Sequence, residues 1–165
     1  MRVRNQGGGS YKTFQAGAVW GAVWNDYVEY READSIEPGY CYKETESGIM
    51  TKTTERLEPG VKLSSDTFGF AIGKTKKAQT PISVSGRVLA YPYKNRNEYH
   101  LGDAVCSAPN GTIDVMTREE IMMYPERIIG TVSEIPKYDI WFANGDSECG
   151  DIPIEVNGRI WIYVR

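Results

Sequence analysis

Two carboxylates, Asp26 and Glu29, stand three residues apart in Trp24-Asn25-Asp26-Tyr27-Val28-Glu29-Tyr30, flanked by aromatic side chains and by the Asn25-Asp26 peptide bond. Paired carboxylates can divide acid and base work, one held ionised and the other raised in pKa, when their surroundings differ. The pairing demands a particular backbone. In a helical turn residues three apart share a face, whereas in a strand they point to opposite faces. Cooperation between Asp26 and Glu29 therefore requires a turn; the alternative is a strand in which Tyr27, Glu29 and Arg31 form a solvated face while Val28 and Tyr30 pack inward.

Other residues offer less. Gly73-Lys74-Thr75 is the tail of a phosphate-binding loop, but Phe68 stands where that motif needs its first glycine, so a strand ending in a solvated lysine is the simpler reading. His100 has Tyr99 beside it and Asp103 three residues on, with no serine or cysteine placed near it in sequence to form a triad. Two aromatic-rich segments, 91–97 and 138–142, carry the side chains that suit contacts with sugar or protein, or a subunit interface.

Composition removes several classes of function. A net charge of −3 gives no global attraction to phosphate backbones or anionic membranes, so no nucleic-acid partner is expected. Cys41, Cys106 and Cys149 are widely spaced, and with a single histidine they offer neither a zinc site nor a disulfide framework. No metal is expected. The N-terminus carries Arg2 and Arg4 but then Gly7-Gly8-Gly9-Ser10 where a secretory signal needs an apolar core, and no apolar run approaches membrane-spanning length. A soluble product made in the cytoplasm is the expectation.

The elements that must position the carboxylates are predominantly strands. Residues 1–24 are rich in Gly and Ala and cannot build a core, so they are expected to form a flexible or stalk-like arm, with Trp20 and Trp24 as docking anchors. Residues 25–165 are of a length to form one domain. From Asp34 onward, short runs of Val, Ile, Tyr and Phe alternate with Gly, Pro, Asn and Asp, the pattern of an all-β protein. Hairpins are expected for 40–44 with 49–53, for 104–106 with 112–115, and, through Asn157-Gly158, for 152–156 with 160–164. Further strands are expected at 67–73, at 82–91 with a break at Ser85-Gly86, and at 127–133. One short helix is expected near 118–124, capped by Thr117 with Glu120 as its reciprocal partner and stopped by Pro125.

An internal echo relates these strands. Gly39-Tyr40-Cys41 precedes Gly48 by the same nine positions that separate Gly102 from Gly111, and Ser85-Gly86-Arg87-Val88 resembles Asn157-Gly158-Arg159-Ile160. Between them, Phe70-Ala71-Ile72-Gly73 resembles Arg127-Ile128-Ile129-Gly130. Glycines at matched offsets mean matched turns. The chain is therefore expected to be mainly β, with two related units, about 36–91 and 99–165, packed as a pseudo-twofold barrel or sandwich.

The segment Asp26-Tyr27-Val28-Glu29-Tyr30, followed by Glu37-Pro38-Gly39, Phe70-Ala71-Ile72-Gly73, Ser85-Gly86-Arg87-Val88, Gly102-Asp103 and Ile128-Ile129-Gly130-Thr131-Val132-Ser133, resembles the peptidase G2 family over about residues 20–165. That family comprises intramolecular chaperone and autoproteolytic cleavage domains of bacteriophage pre-neck appendage and tailspike-like proteins. The resemblance implies a homotrimer that templates folding of an upstream fibre or appendage segment, in a phage particle or encoded by a prophage. It also implies self-cleavage at Asn25-Asp26 with Glu29 activating water, linked to ATP through no residue identifiable here. One departure is that Asn25 stands where the family's type member has serine. A different reading of the same chain is a non-enzymatic adhesin or capping head of a tail fibre, binding host-surface glycan or protein through its aromatic loops.

Overall fold

The computed structural model describes residues 26–74, 78–142 and 153–165. The arm expected at 1–24, Asn25 of the expected cleavage site, and Cys149 lie outside the described residues. Among the described residues, β1 (Asp26–Glu32) is followed by β2 (Cys41–Glu44), β3 (Met50–Lys52), β4 (Val61–Leu63), β5 (Phe68–Ile72) and the long β6 (Gln79–Ala90). The second half holds β7 (Ala104–Ser107), β8 (Ile113–Val115), α1 (Arg118–Met123), β9 (Gly130–Glu134), β10 (Ile140–Trp141), β11 (Ile154–Glu155) and β12 (Ile160–Val164).

These strands form a seven-stranded sheet in the order β5-β1-β6-β12-β9-β7-β8, a three-stranded sheet β3-β2-β4 and a two-stranded ribbon β10-β11. The sheets stay open, so of the two expected architectures the protein has the sandwich-like one and not the closed barrel. Alternation along the central strands explains the layering. Val88, Ala90, Ile160 and Ile162 pack with Cys41 and Leu63 of the small sheet and with Val105, Ile113 and Val132. Leu89 and Trp161 point the other way, packing with Val156 under Trp141 and Ile154 of the ribbon.

The two related units are present at the level of individual hydrogen bonds. The β2–β3 pairing of Lys43 with Thr51 is repeated 63 residues later by Cys106 with Asp114. Thr45 N–H donates to Ile49 O as Ala108 N–H donates to Thr112 O, and Thr53 N–H to Cys41 O as Met116 N–H to Ala104 O. Gly39 and Gly102 both take positive φ, +82° and +88°, at the entrance to their hairpins. Between the units, β6 and β12 pair antiparallel about Leu89–Trp161, with Val88 opposite Ile162 and Ala90 opposite Ile160. This is the register of a local twofold axis.

One correspondence differs from the sequence expectation. The counterpart of β9 is β4, not the strand at 67–73: β2 lies between β3 and β4 as β7 lies between β8 and β9. The N–H groups of Gly39 and Ser64 bond to Ser64 O and Tyr40 O, matching Gly102 and Val132, which bond to Val132 O and Asp103 O. β4 is too short and too polar to stand out in sequence, whereas β5 shares its apolar run with 127–130 by composition alone.

Three local expectations also change. The turn at Asn157-Gly158 forms, with φ of +50° and +76°, but its arms part: β11 pairs with β10 and β12 with β6 and β9. The hydrogen bonds available in the large sheet outnumber those of an isolated hairpin. Ser85-Gly86 does not break β6, because β1 pairs alongside through Asp26–Gly86 and Tyr27–Ser85. The strand expected from Arg127 starts at Gly130, since Pro125–Arg127 form a 3₁₀ turn. The helix matches its expected caps: Thr117 Oγ1 accepts from Glu120 N–H at 3.2 Å and Glu120 Oε2 from Thr117 N–H at 2.8 Å.

Candidate functional site

β1 lies between β5, with which it runs parallel, and β6, with which it runs antiparallel. The irregularities beside it fall on its partners: Gly69 is the extra residue on β5 and Val84 the extra residue on β6. β1 itself keeps its alternation. Asp26 and Val28 are buried on one face, and Glu29 shares the other with Arg31, its Oε2 lying 3.7 Å from Arg31 Nη1. The strand alternative set out from sequence is therefore the observed one for Glu29 and Arg31, and the two carboxylates do not converge.

Their environments differ sharply. Glu29 is half-exposed and lines a cavity of about 250 Å³ with Arg31, Glu44, Lys62 and Ile82. Asp26 is 3 % exposed; Ser65 Oγ donates to its Oδ1 at 3.2 Å, while Oδ2 has no hydrogen bond among the described residues. Burial pushes the Asp26 carboxyl up to about 7; the nearby Ser65 and Ser83 hydroxyls offset part of that rise, and the charge of Asp66 adds to it. Asp26 is thus a proton-holding acid up to neutral pH. Ser64, Ser65, Thr67, Thr80 and Ser83 are all buried, and the hydroxyls of Thr80 and Ser83 are also unbonded among the described residues.

A second cavity, of about 430 Å³, lies where the two units meet, and sequence reasoning did not find it. Its floor is Arg159, 3 % exposed, whose Nη1 donates to Asp66 Oδ1 and Oδ2 at 2.8 and 3.0 Å and whose Nε donates to Val156 O at 3.1 Å. Gly39 makes room for it: a Cβ there would sit 2.9 Å from both Arg159 Cδ and Leu89 O. The rings of Tyr40 and Tyr91 stack at 4.6 Å with 27° between planes. Lys52 Nζ stands 4.3 Å from the Tyr40 ring centre and Arg159 Cζ 5.6 Å from that of Tyr91. The one sequence signal for this cavity was the repeated Gly-Arg of Gly86-Arg87 and Gly158-Arg159.

The remaining sequence candidates are structural. Lys74 follows β5, and its ammonium lies 5.3 Å from the Tyr30 ring centre. His100 is 79 % exposed at its side chain, with Nδ1 3.6 Å from Asp103, and Asp103 Oδ2 accepts the His100 backbone N–H. Of the aromatic segments, Tyr91 reaches the larger cavity, and Tyr138 accepts from Trp161 Nε1 at 2.7 Å. Cys41 and Cys106 are buried free thiols; burial raises both, Cys106 to about 11, so neither is a nucleophile at neutral pH. No cluster of metal-ligating side chains occurs among the described residues.

Fold and site together define a class: a mainly β protein of two fused, related units, with a buried acid at the head of an interior strand and a polar cavity at the junction of the units. Searches against protein-family models and against curated proteins each found no match.

Proposed function

We propose that this domain is a trimerisation and intramolecular chaperone domain of a phage appendage or tail-fibre-like protein. The observation that carries this reading is the position of β1. The strand that begins at Asp26 is hydrogen-bonded on both sides inside the large sheet, so whatever precedes it is presented from a fixed point on a folded scaffold. Three copies related by a closed symmetry would bring three such points together, raising the effective concentration of the preceding segments and setting their register. Fibrous β assemblies need that help, because their pairings are non-local and slow to form. The segment resembling the peptidase G2 opening is this same strand.

Self-cleavage at Asn25-Asp26 is the second reading, and one observation favours it. The carboxyl of Asp26 keeps its proton to about pH 7 beside that bond, the state of an acid that can protonate a departing amine while water adds to the Asn25 carbonyl. Glu29, on the opposite face of β1, would act as the base on that water only from a neighbouring copy or after a change at the strand's start.

Light scattering on the purified chain, with intact-mass spectrometry of the same sample, tests both. Three whole copies support the chaperone reading alone, and a strictly monomeric protein at every concentration overturns it. A fragment beginning at Asp26 that disappears in Glu29→Ala supports cleavage. If neither the wild type nor Asn25→Ser yields that fragment, with or without ATP, the cleavage reading fails and the scaffold stands.

A further inference from the structure

We propose that the 430 Å³ cavity at the junction of the two units is a binding site for an uncharged saccharide. Its size falls within the range of small-ligand sites, and its shape is set before any ligand arrives. Arg159 is locked from below by Asp66 and by backbone carbonyls, and the Tyr40–Tyr91 stack is closed by a cation on each side, Lys52 and Arg159.

The chemistry of the walls selects the ligand. Because the ring faces of Tyr40 and Tyr91 are occupied, a ligand meets ring edges and hydroxyls, which disfavours a flat aromatic group and favours one recognised through many hydrogen bonds. Neither tyrosine hydroxyl makes a hydrogen bond to another described residue. Glu37, Glu155 and Asn157 add acceptors and a donor around them, and Ile36, Pro38 and Ile154 supply apolar contact for a sugar's C–H faces.

Charge narrows the class further. Glu37 is paired with Lys52 at 2.7 Å and Asp66 with Arg159 at 2.8 Å, whereas among the described residues the Glu155 carboxylate accepts from the Asn157 amide at 3.1 Å and has no cationic partner. The cavity therefore keeps an excess of negative charge. Phosphorylated ligands, nucleotides and uronic acids are repelled, while an uncharged polyol is accepted. This assignment is independent of the chaperone role, since it needs one copy of the domain.

Amide chemical-shift mapping tests it, titrating the full chain with a panel of uncharged mono- and disaccharides, with glucuronic acid, and with a lysine amide. We expect shifts at Tyr40, Tyr91 and Asn157 with at least one uncharged sugar and none with glucuronic acid. Tyr91→Phe keeps the ring stack and removes only the hydroxyl; it should weaken that sugar by about fivefold, the worth of one hydrogen bond. Absence of cavity shifts across the sugar panel, shifts produced by the lysine amide alone, or sugar binding indifferent to both Tyr91→Phe and Tyr40→Phe would each overturn the proposal.

Discussion

Two arginines occupy equivalent places in the two units and meet opposite fates. Arg87 and Arg159 each follow a glycine at the start of a central strand segment, and each reaches across the local twofold to an acid at the matching position of the other unit. Arg87 Nη2 lies 2.6 Å from Glu134, and Arg159 Nη1 lies 2.8 Å from Asp66. Each also stands over an aromatic ring, Trp161 for Arg87 and Tyr91 for Arg159. Yet Arg159 is 3 % exposed at its side chain and Arg87 32 %. The difference comes from what covers them. Gly39 and the turn before β12 close over Arg159 and leave a cavity above it, while Arg87 and Glu134 remain half in solvent. The repeat supplied the pair twice; burial turned one copy into the base of a cavity.

That comparison is broken most directly by removing each arginine. Arg159→Ala strands Asp66 and two backbone carbonyls and should cost about 3–5 kcal/mol, whereas Arg87→Ala, a half-exposed pair, should cost about 1 kcal/mol or less. Urea unfolding of both variants decides it; equal losses would mean that the cover over Arg159 adds nothing.

A second contrast lies between β4 and β9. Val132 is buried in the core at the position where the first unit has Ser64, which donates to Glu37 O at 2.6 Å and accepts from Tyr40 N–H at 3.2 Å. Val132→Ala should cost about 2 kcal/mol through lost packing, and Ser64→Ala about 1 kcal/mol through lost hydrogen bonds. Thermal melts at one pH are sufficient to rank them.

The effect expected at Asp26 is visible only against pH. Its folded pKa of about 7 stands above the ordinary 3.8, so the folded state holds a proton that the unfolded chain has released between those values. Stability should fall as pH rises through about 4 to 7 and level off above, by on the order of 4 kcal/mol, about three pKa units at 1.36 kcal/mol each. Asp26→Asn should flatten that slope. A wild-type profile already flat across this window would mean that Asp26 is solvated and ionised in solution.

Most of the fold was legible because strands and turns are local signals. The Ser47-Gly48 and Pro109-Asn110-Gly111 turns, the capping box of α1 and the matched spacing of Gly39 and Gly102 all depend on a few neighbouring residues. The candidate site was less legible. Asp26 and Glu29 were visible as residue types, but their separation onto two faces depended on β1 being held between β5 and β6.

By itself, then, the sequence determined a mainly β chain, its two related units and its helix, since these follow from backbone preference and side-chain alternation. Tertiary structure alone decided which strand answers β9, how far Asp26 is buried, and that Glu37, Tyr40, Asp66, Tyr91 and Arg159 share one cavity. Those are relations between residues up to 122 positions apart, and burial and electrostatic coupling arise only when packing brings such residues into one low-dielectric place.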